Sequence, residues 1–255
     1  MKSVSEVSPI ATKLPKITLW FWILKIIATT LGETGGDWFS MTLNFGYLIS
    51  TVIFLLVFIF ALIAQMRSVT FKPILYWSVI VATSTVGTTT SDFMDRTLGL
   101  GYSNGSAILI SLLIFLLLTW RYFVGGIDVN SIRTKKAELF YWATILISNT
   151  LGTALGDYLS DDSGLGFFAS WLLITGLIAL TALAARFSKI SHVILFWIAF
   201  ILTRPFGATF GDLLTKSTEH GGLNLGTGYT SLILISILLA IIGARRKVDN
   251  ARQLT

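Results

Sequence analysis

Residues 22–37 read WILKIIATTLGETGGD, and the wording returns three times, as WSVIVATSTVGTTTSD at 77–92, WATILISNTLGTALGD at 142–157 and WIAFILTRPFGATFGD at 197–212. Each copy opens on a tryptophan (Trp22, Trp77, Trp142, Trp197) and carries glycine ten residues on (Gly32, Gly87, Gly152, Gly207). Five residues later each closes on aspartate (Asp37, Asp92, Asp157, Asp212). Two apolar residues and a polar one follow, in WFS, FMD, YLS and LLT. A glycine–aromatic pair then opens a second stretch, at Gly46-Tyr47, Gly101-Tyr102, Gly166-Phe167 and Gly228-Tyr229. Four matches at fixed spacings define an internal repeat. The steps between units are 55, 65 and 55 residues, the longer one holding a basic loop from Val124 to Lys136. Equal outer steps point to a pair of units that was itself duplicated.

Hydropathy tells what each unit is. The chain is 54% hydrophobic and 13% charged, where a soluble chain carries about 25% charge, and its mean hydropathy is +0.77. Apolar runs near the length of a bilayer crossing recur throughout. We place eight spans at 17–40, 47–66, 73–95, 102–120, 138–160, 167–185, 192–214 and 228–244. The expected fold is an all-α integral membrane protein whose repeats occupy about 17–67, 72–121, 137–186 and 192–244, between tails at 1–16 and 245–255. Two spans per unit give all four units one orientation, so the repeats are parallel.

Fifteen of the nineteen basic residues flank one side of these spans, and only Arg96 and Lys216 flank the other. That asymmetry predicts cytoplasmic termini. It also accounts for the net charge of +6 without a nucleic-acid partner. With no cysteine there is no disulfide framework and no thiolate chemistry.

Odd-numbered spans are rich in Gly, Ala, Ser and Thr and carry the acids, while even-numbered spans are nearly pure apolar, as in TVIFLLVFIFALIA. Small residues allow close helix approach and bulky apolar ones suit lipid. The odd spans are therefore expected inside and the even ones outside. A bundle without a central cavity fits the same pattern.

The charges inside the spans carry the functional reading. Each repeated Asp sits near a helix C-terminus, where the macrodipole disfavours an acid. Gathered at the outer mouth, the four would share protons or bind a cation. Alternatively, each fixes the turn that follows it. Three charges break the symmetry: Lys25 stands where other units have Ile80, Ile145 and Phe200; Arg204 where they have Thr29, Ser84 and Asn149; Glu33 where they have Thr88, Thr153 and Ala208. Lys25 and Arg204 fall near mid-depth, where a basic residue costs about 2.5–3.5 kcal/mol unless it is partnered. Glu33 follows Lys25 by eight residues on roughly one face, and Asp212 bears the same relation to Arg204. The preferred partner of Arg204 is nevertheless Glu33, because the first and last units adjoin if the four close into a ring. Pro205 offers a hinge. Most of the outer charges, Asp95, Arg96, Asp161, Asp162, Lys216, Glu219 and His220, read as solvated loop residues. Trp120 and Tyr122 read as interfacial anchors.

The run KIIATTLGETGGDW, the W…G…GD units and the variant TRPFGATFGD resemble a group of bacterial membrane proteins known as uncharacterised and membrane-anchored, built on a repeat of unknown function. The resemblance spans about Leu14 to Ala244. It implies the four-unit, eight-span layout and carries over no activity.

The expected function is a transporter or channel for a small ion, a cation for preference and proton-coupled, with Glu33, Asp37, Asp92, Asp157 and Asp212 on the path and Lys25 and Arg204 as counter-charges. Deep basic residues leave an anionic substrate open. The alternative is a membrane scaffold or sensor with structural ion pairs. No metal-binding His pair, nucleophile–base spacing or cofactor fingerprint points to an enzyme. No cofactor is expected, and a metal among the acids is left open. So is whether one chain or an oligomer encloses the path.

Overall fold

The computed structural model describes residues 14–129, 132 and 134–253. Most of the expected N-terminal tail, with Lys2 and Lys13, lies outside these residues, as do Arg133 and residues 254–255. The side chains of His220 and of residues beyond Arg246 are also outside the description.

Among the described residues the chain is all-helical, without strands. Its eight α-helices are α1 Leu19–Asp37, α2 Gly46–Arg67, α3 Pro73–Asp92, α4 Gly101–Val124, α5 Lys135–Asp157, α6 Gly166–Phe187, α7 His192–Thr215 and α8 Thr227–Gln253. The last runs through most of the stretch expected to be a tail. Five helices, α2, α4, α6, α7 and α8, are long and apolar enough to cross a membrane. In α1, α3 and α5, Gly, Thr, Ser and charged residues hold too many positions for that.

Packing explains why those helices are polar. α1, α3, α5 and α7 lie side by side in a closed ring, α7 returning to α1. Their polar faces are buried there, while α2, α4, α6 and α8 leave most of their apolar side chains exposed. Each even helix packs chiefly on the odd helix of the next unit: α2 on α3, α4 on α5, α6 on α7, and α8 on α1. A sequence repeat is therefore not a packing unit.

Three layers repeat around the ring, each running from one unit to the next. At the tryptophan end, the aromatic residue before each Trp meets the following Trp: Phe21–Trp77 at 5.8 Å, Tyr76–Trp142 at 5.6 Å, Tyr141–Trp197 at 6.4 Å and Phe196–Trp22 at 5.8 Å. Contacts of this kind contribute about 0.5–1.5 kcal/mol each beyond burial. Next come the repeat glycines. Gly32 abuts Ser84, Gly87 abuts Asn149, Gly152 abuts Arg204 and Gly207 abuts Thr29. A Cβ on Gly87 would lie 2.9 Å from the backbone of Asn149 and Thr150, so the repeat needs glycine here for close helix approach. One turn on, Gly36 meets Thr88, Gly156 meets Ala208 and Gly211 meets Glu33. Ser91 replaces the glycine of this layer in the second unit.

After the aspartate the first three units widen into single π turns, Trp38–Thr42, Phe93–Thr97 and Tyr158–Asp162. The chain then reverses through residues with positive φ two apart: Asn44 and Gly46, Gly99 and Gly101, Gly164 and Gly166, and in the fourth unit Asn224 and Gly226. The turn glycine of the fourth unit is thus Gly226, not Gly228; the Gly228 Cα instead faces the Trp38 indole. Matching hydrogen bonds fix the correspondence. Phe45 N donates to Phe39 O (3.3 Å) and Leu225 N to Leu214 O (2.9 Å). The excursion before the turn in the fourth unit therefore holds five extra residues, rather than the seven that the Gly228 alignment gives.

One further expectation changes. Trp120 is buried, edge-on to Trp197 at 5.6 Å, so it seals the tryptophan end and is no surface anchor; Tyr122 is exposed. α7 continues through Pro205, which packs against Gly152.

Candidate functional site

The ring encloses two layers of charge. The deeper one is built on Arg204, which is fully buried because position 204 is the side-chain face of a glycine seam. Its Nη1 donates to Glu33 Oε2 at 2.9 Å, and its Nη2 donates to Thr88 Oγ1 and Thr153 Oγ1, both at 2.6 Å, and to Ser84 O at 3.3 Å. Thr88 Oγ1 also donates to Glu33 Oε2 at 3.2 Å. One guanidinium on α7 thus reaches α1, α3 and α5. Such fixed, charge-assisted geometry is what a planar five-donor group supplies and an ammonium does not. The pairing of Glu33 with Arg204 across the first and last units is the one that ring closure predicted.

Lys25 is equally buried but differently placed. Its Nζ lies 3.4 Å from Asn149 Oδ1 and 4.1 Å from the centre of the Phe200 ring. Asn149 is held in turn, donating to Thr83 Oγ1 at 3.0 Å. Among the described residues no carboxylate forms an ion pair with Lys25, so Glu33, eight residues along, is not its partner. An amide oxygen and an aromatic face are the contacts the ammonium has.

The shallower layer holds the four repeated aspartates, all buried. They are gathered in twos. Lys216 Nζ lies 2.7 Å from Asp37 Oδ2 and 3.1 Å from Asp212 Oδ1. Arg96 Nε lies 3.0 Å from Asp92 Oδ1, with Nη2 at 3.7 Å from Asp157 Oδ2 and 3.6 Å from Asp161 Oδ2. Both cations stand four residues after the aspartate of their own unit and bridge it to that of the next. Arg96 and Lys216 are therefore not free loop charges. Burial works to lower the pKa of each, but carboxylates overcome it: Asp212 and Asp37 hold Lys216 well above the usual lysine range, and Asp92 and Asp157 hold Arg96 above the usual arginine range. Asp95 is buried as well, accepting from Ser91 Oγ at 3.2 Å.

The two layers meet at Glu33. One carboxylate oxygen each from Glu33, Asp37 and Asp212 lie within 4.8 Å of one another, a spacing that could hold a metal ion. Oxygen-only donors of this kind suit hard cations. The ammonium of Lys216 already stands between two of the three.

The signal for the missed pair was in the sequence. Position 19 after the Trp is basic in the second and fourth units, Arg96 and Lys216, and not in the others, Met41 and Asp161. An i,i+4 relation to an acid on a helical turn is a pairing distance.

The family described as Repeat of Unknown Function (DUF347) matches this chain four times, at 20–70, 75–124, 140–191 and 195–249. The chain belongs to this family. No curated protein and no solved structure matches it. The four matched segments follow the four units, so each family repeat comprises one ring helix and the outer helix that covers its neighbour.

Proposed function

We propose that this family member is a carrier for a small cation, proton-coupled, in a bacterial plasma membrane, with eight crossings and both termini cytoplasmic. The observation that carries the proposal is the buried Glu33–Arg204 pair (2.9 Å) at the centre of a closed helix ring, with Asp37 and Asp212 one step towards one end. Ionisable groups at membrane depth are costly and serve ion or proton pathways by preference. Because Arg204 ties three other ring helices together, the axis is closed at this depth. That favours a carrier or a gated path over an open pore. Acids outnumber bases among the ring charges, which favours a cation over an anion.

Flux in proteoliposomes tests this, with a panel of monovalent and divalent cations and a pH-sensitive dye. Wild type should carry one of them, and Glu33→Gln should abolish the flux while inserting normally. Background flux for every cation in correctly inserted wild type would sink the cation reading.

One observation favours a second reading. Arg204 finds partners on every other ring helix, which is also how a structural clasp would look in a scaffold subunit. In that case Glu33→Gln changes stability and there is no flux to lose.

A further inference from the structure

A cavity of about 730 Å³ lies on the outside of the ring, over the seam between α1 and α7 and beside α6. Its floor is Trp22, Ile26, Phe196 and Ala199, its α6 wall includes Ala182 and Ala185, and its lining is mostly apolar, with Asp128, Thr181, His192 and Thr203 as the polar members. Along α7 it runs from His192 to Thr203, a rise of about 16 Å at ~1.5 Å per residue. That equals about half of a ~30 Å hydrocarbon core, the depth of one leaflet. The corresponding groove over the α1–α3 seam is only about 200 Å³, lined on one side by the larger Leu238, Leu239 and Ile242 of α8. Small alanines on α6 leave the larger space open.

Its mouth is basic. Lys16 precedes the lining residue Ile17, Arg186 follows the lining residue Ala185, and Lys189 lies in the short link leading to His192. All three are exposed. Asp128 is the acid of the lining, and it already interacts with a neighbouring group. An apolar slot one leaflet deep beneath a basic rim matches a single class of molecule, with one long acyl chain below and a negative headgroup above. We propose that this groove is a binding site for an anionic phospholipid of the cytoplasmic leaflet, its chain against Trp22 and Phe196 and its phosphate between Lys16, Arg186 and Lys189.

Trp22 supplies the readout. The full chain is reconstituted in vesicles of unbrominated lipid doped with phosphatidylglycerol or phosphatidylcholine brominated in the acyl chain. Quenching that Trp22→Phe removes is the signal from the groove. The site predicts half-maximal quenching at about tenfold less phosphatidylglycerol than phosphatidylcholine. Lys16→Gln with Arg186→Gln and Lys189→Gln should bring the two lipids level. Ala182→Phe with Ala185→Phe should remove the Trp22 signal for both. Equal quenching by the two lipids in wild type would overturn the proposal, as would an undiminished signal in the filled variant. The neutralised residues are exposed, so that arm holds even if the filled variant fails to fold. Neither arm depends on ion flux.

Discussion

At the aspartate end of the ring, the carboxylate recurs in every unit and its counter-charge in every second unit, whereas around Glu33 and Arg204 each charge occurs once. The outer layer is twofold: Lys216 serves Asp212 and Asp37 as Arg96 serves Asp92 and Asp157. The inner layer has no symmetry at all. Repeated positions build the frame and keep it closed. Single-copy positions set one seam, α1 against α7, apart from the other three. Exposure sharpens the contrast, since the side chains of Arg96 and Lys216 are 32% and 23% exposed while that of Arg204 is 0%. Charge is therefore cheaper to keep, and cheaper to remove, in the outer layer.

The most damaging change should be Arg204→Met, which leaves Glu33 buried without its cation. A loss of about 3–5 kcal/mol is expected, read as a fall in unfolding free energy in lipid or detergent. A loss below that of Lys216→Met would break the distinction between the layers. Lys216→Met strands two aspartates near the surface and should cost about 1.5–3 kcal/mol. Arg96→Met should cost less, about 0.5–1.5 kcal/mol, because its reach to Asp157 is already 3.7 Å and water can replace it. If the twofold relation is only formal, the two will differ in sign rather than degree. The smallest effect belongs to Lys25→Met. No carboxylate loses a partner, and an apolar side chain of similar length suits the Phe200 face, so stability should stay within about 1 kcal/mol or rise. A large loss there would mean that Lys25 holds the ring as Arg204 does. Flux adds a second axis: on the proposed function, Lys25→Met alters transport while sparing stability.

Much of this frame was legible in the chain itself. Strict spacing of Trp, Gly and Asp sets which residues share a level, and a ring of parallel repeats has neighbours in order, so Arg204 could be matched with Glu33 171 residues away. The counter-charges Arg96 and Lys216 escaped because hydropathy placed them past the span ends, where charges are ordinarily solvated. Their recurrence in alternate units was the better guide. Trp120 misled for a related reason: an aromatic residue at the end of an apolar run looks like an anchor, and only packing on Phe140 of α5 and Trp197 of α7 buries it. The fourth turn was misaligned because Gly228 also precedes an aromatic residue; backbone geometry, with Asn224 at φ 53° and Gly226 at φ 79°, fixes the match. The Lys25 contact with Asn149 was hard to read, since Asn149 belongs to the third unit, whose helix α5 stands opposite α1 in the ring.

The overlap of α8 on α1 has a topological corollary. Since every outer helix covers the next unit, the order of packing has neither a first member nor a last, and the polypeptide could be rejoined and reopened elsewhere. A chain circularly permuted to begin at α3 and end at α2, with a linker from α8 to α1, keeps every seam of the ring. Cut instead in the loop between α4 and α5, the two halves would each present one outer helix seeking the other half's core, and co-expression should reassemble them.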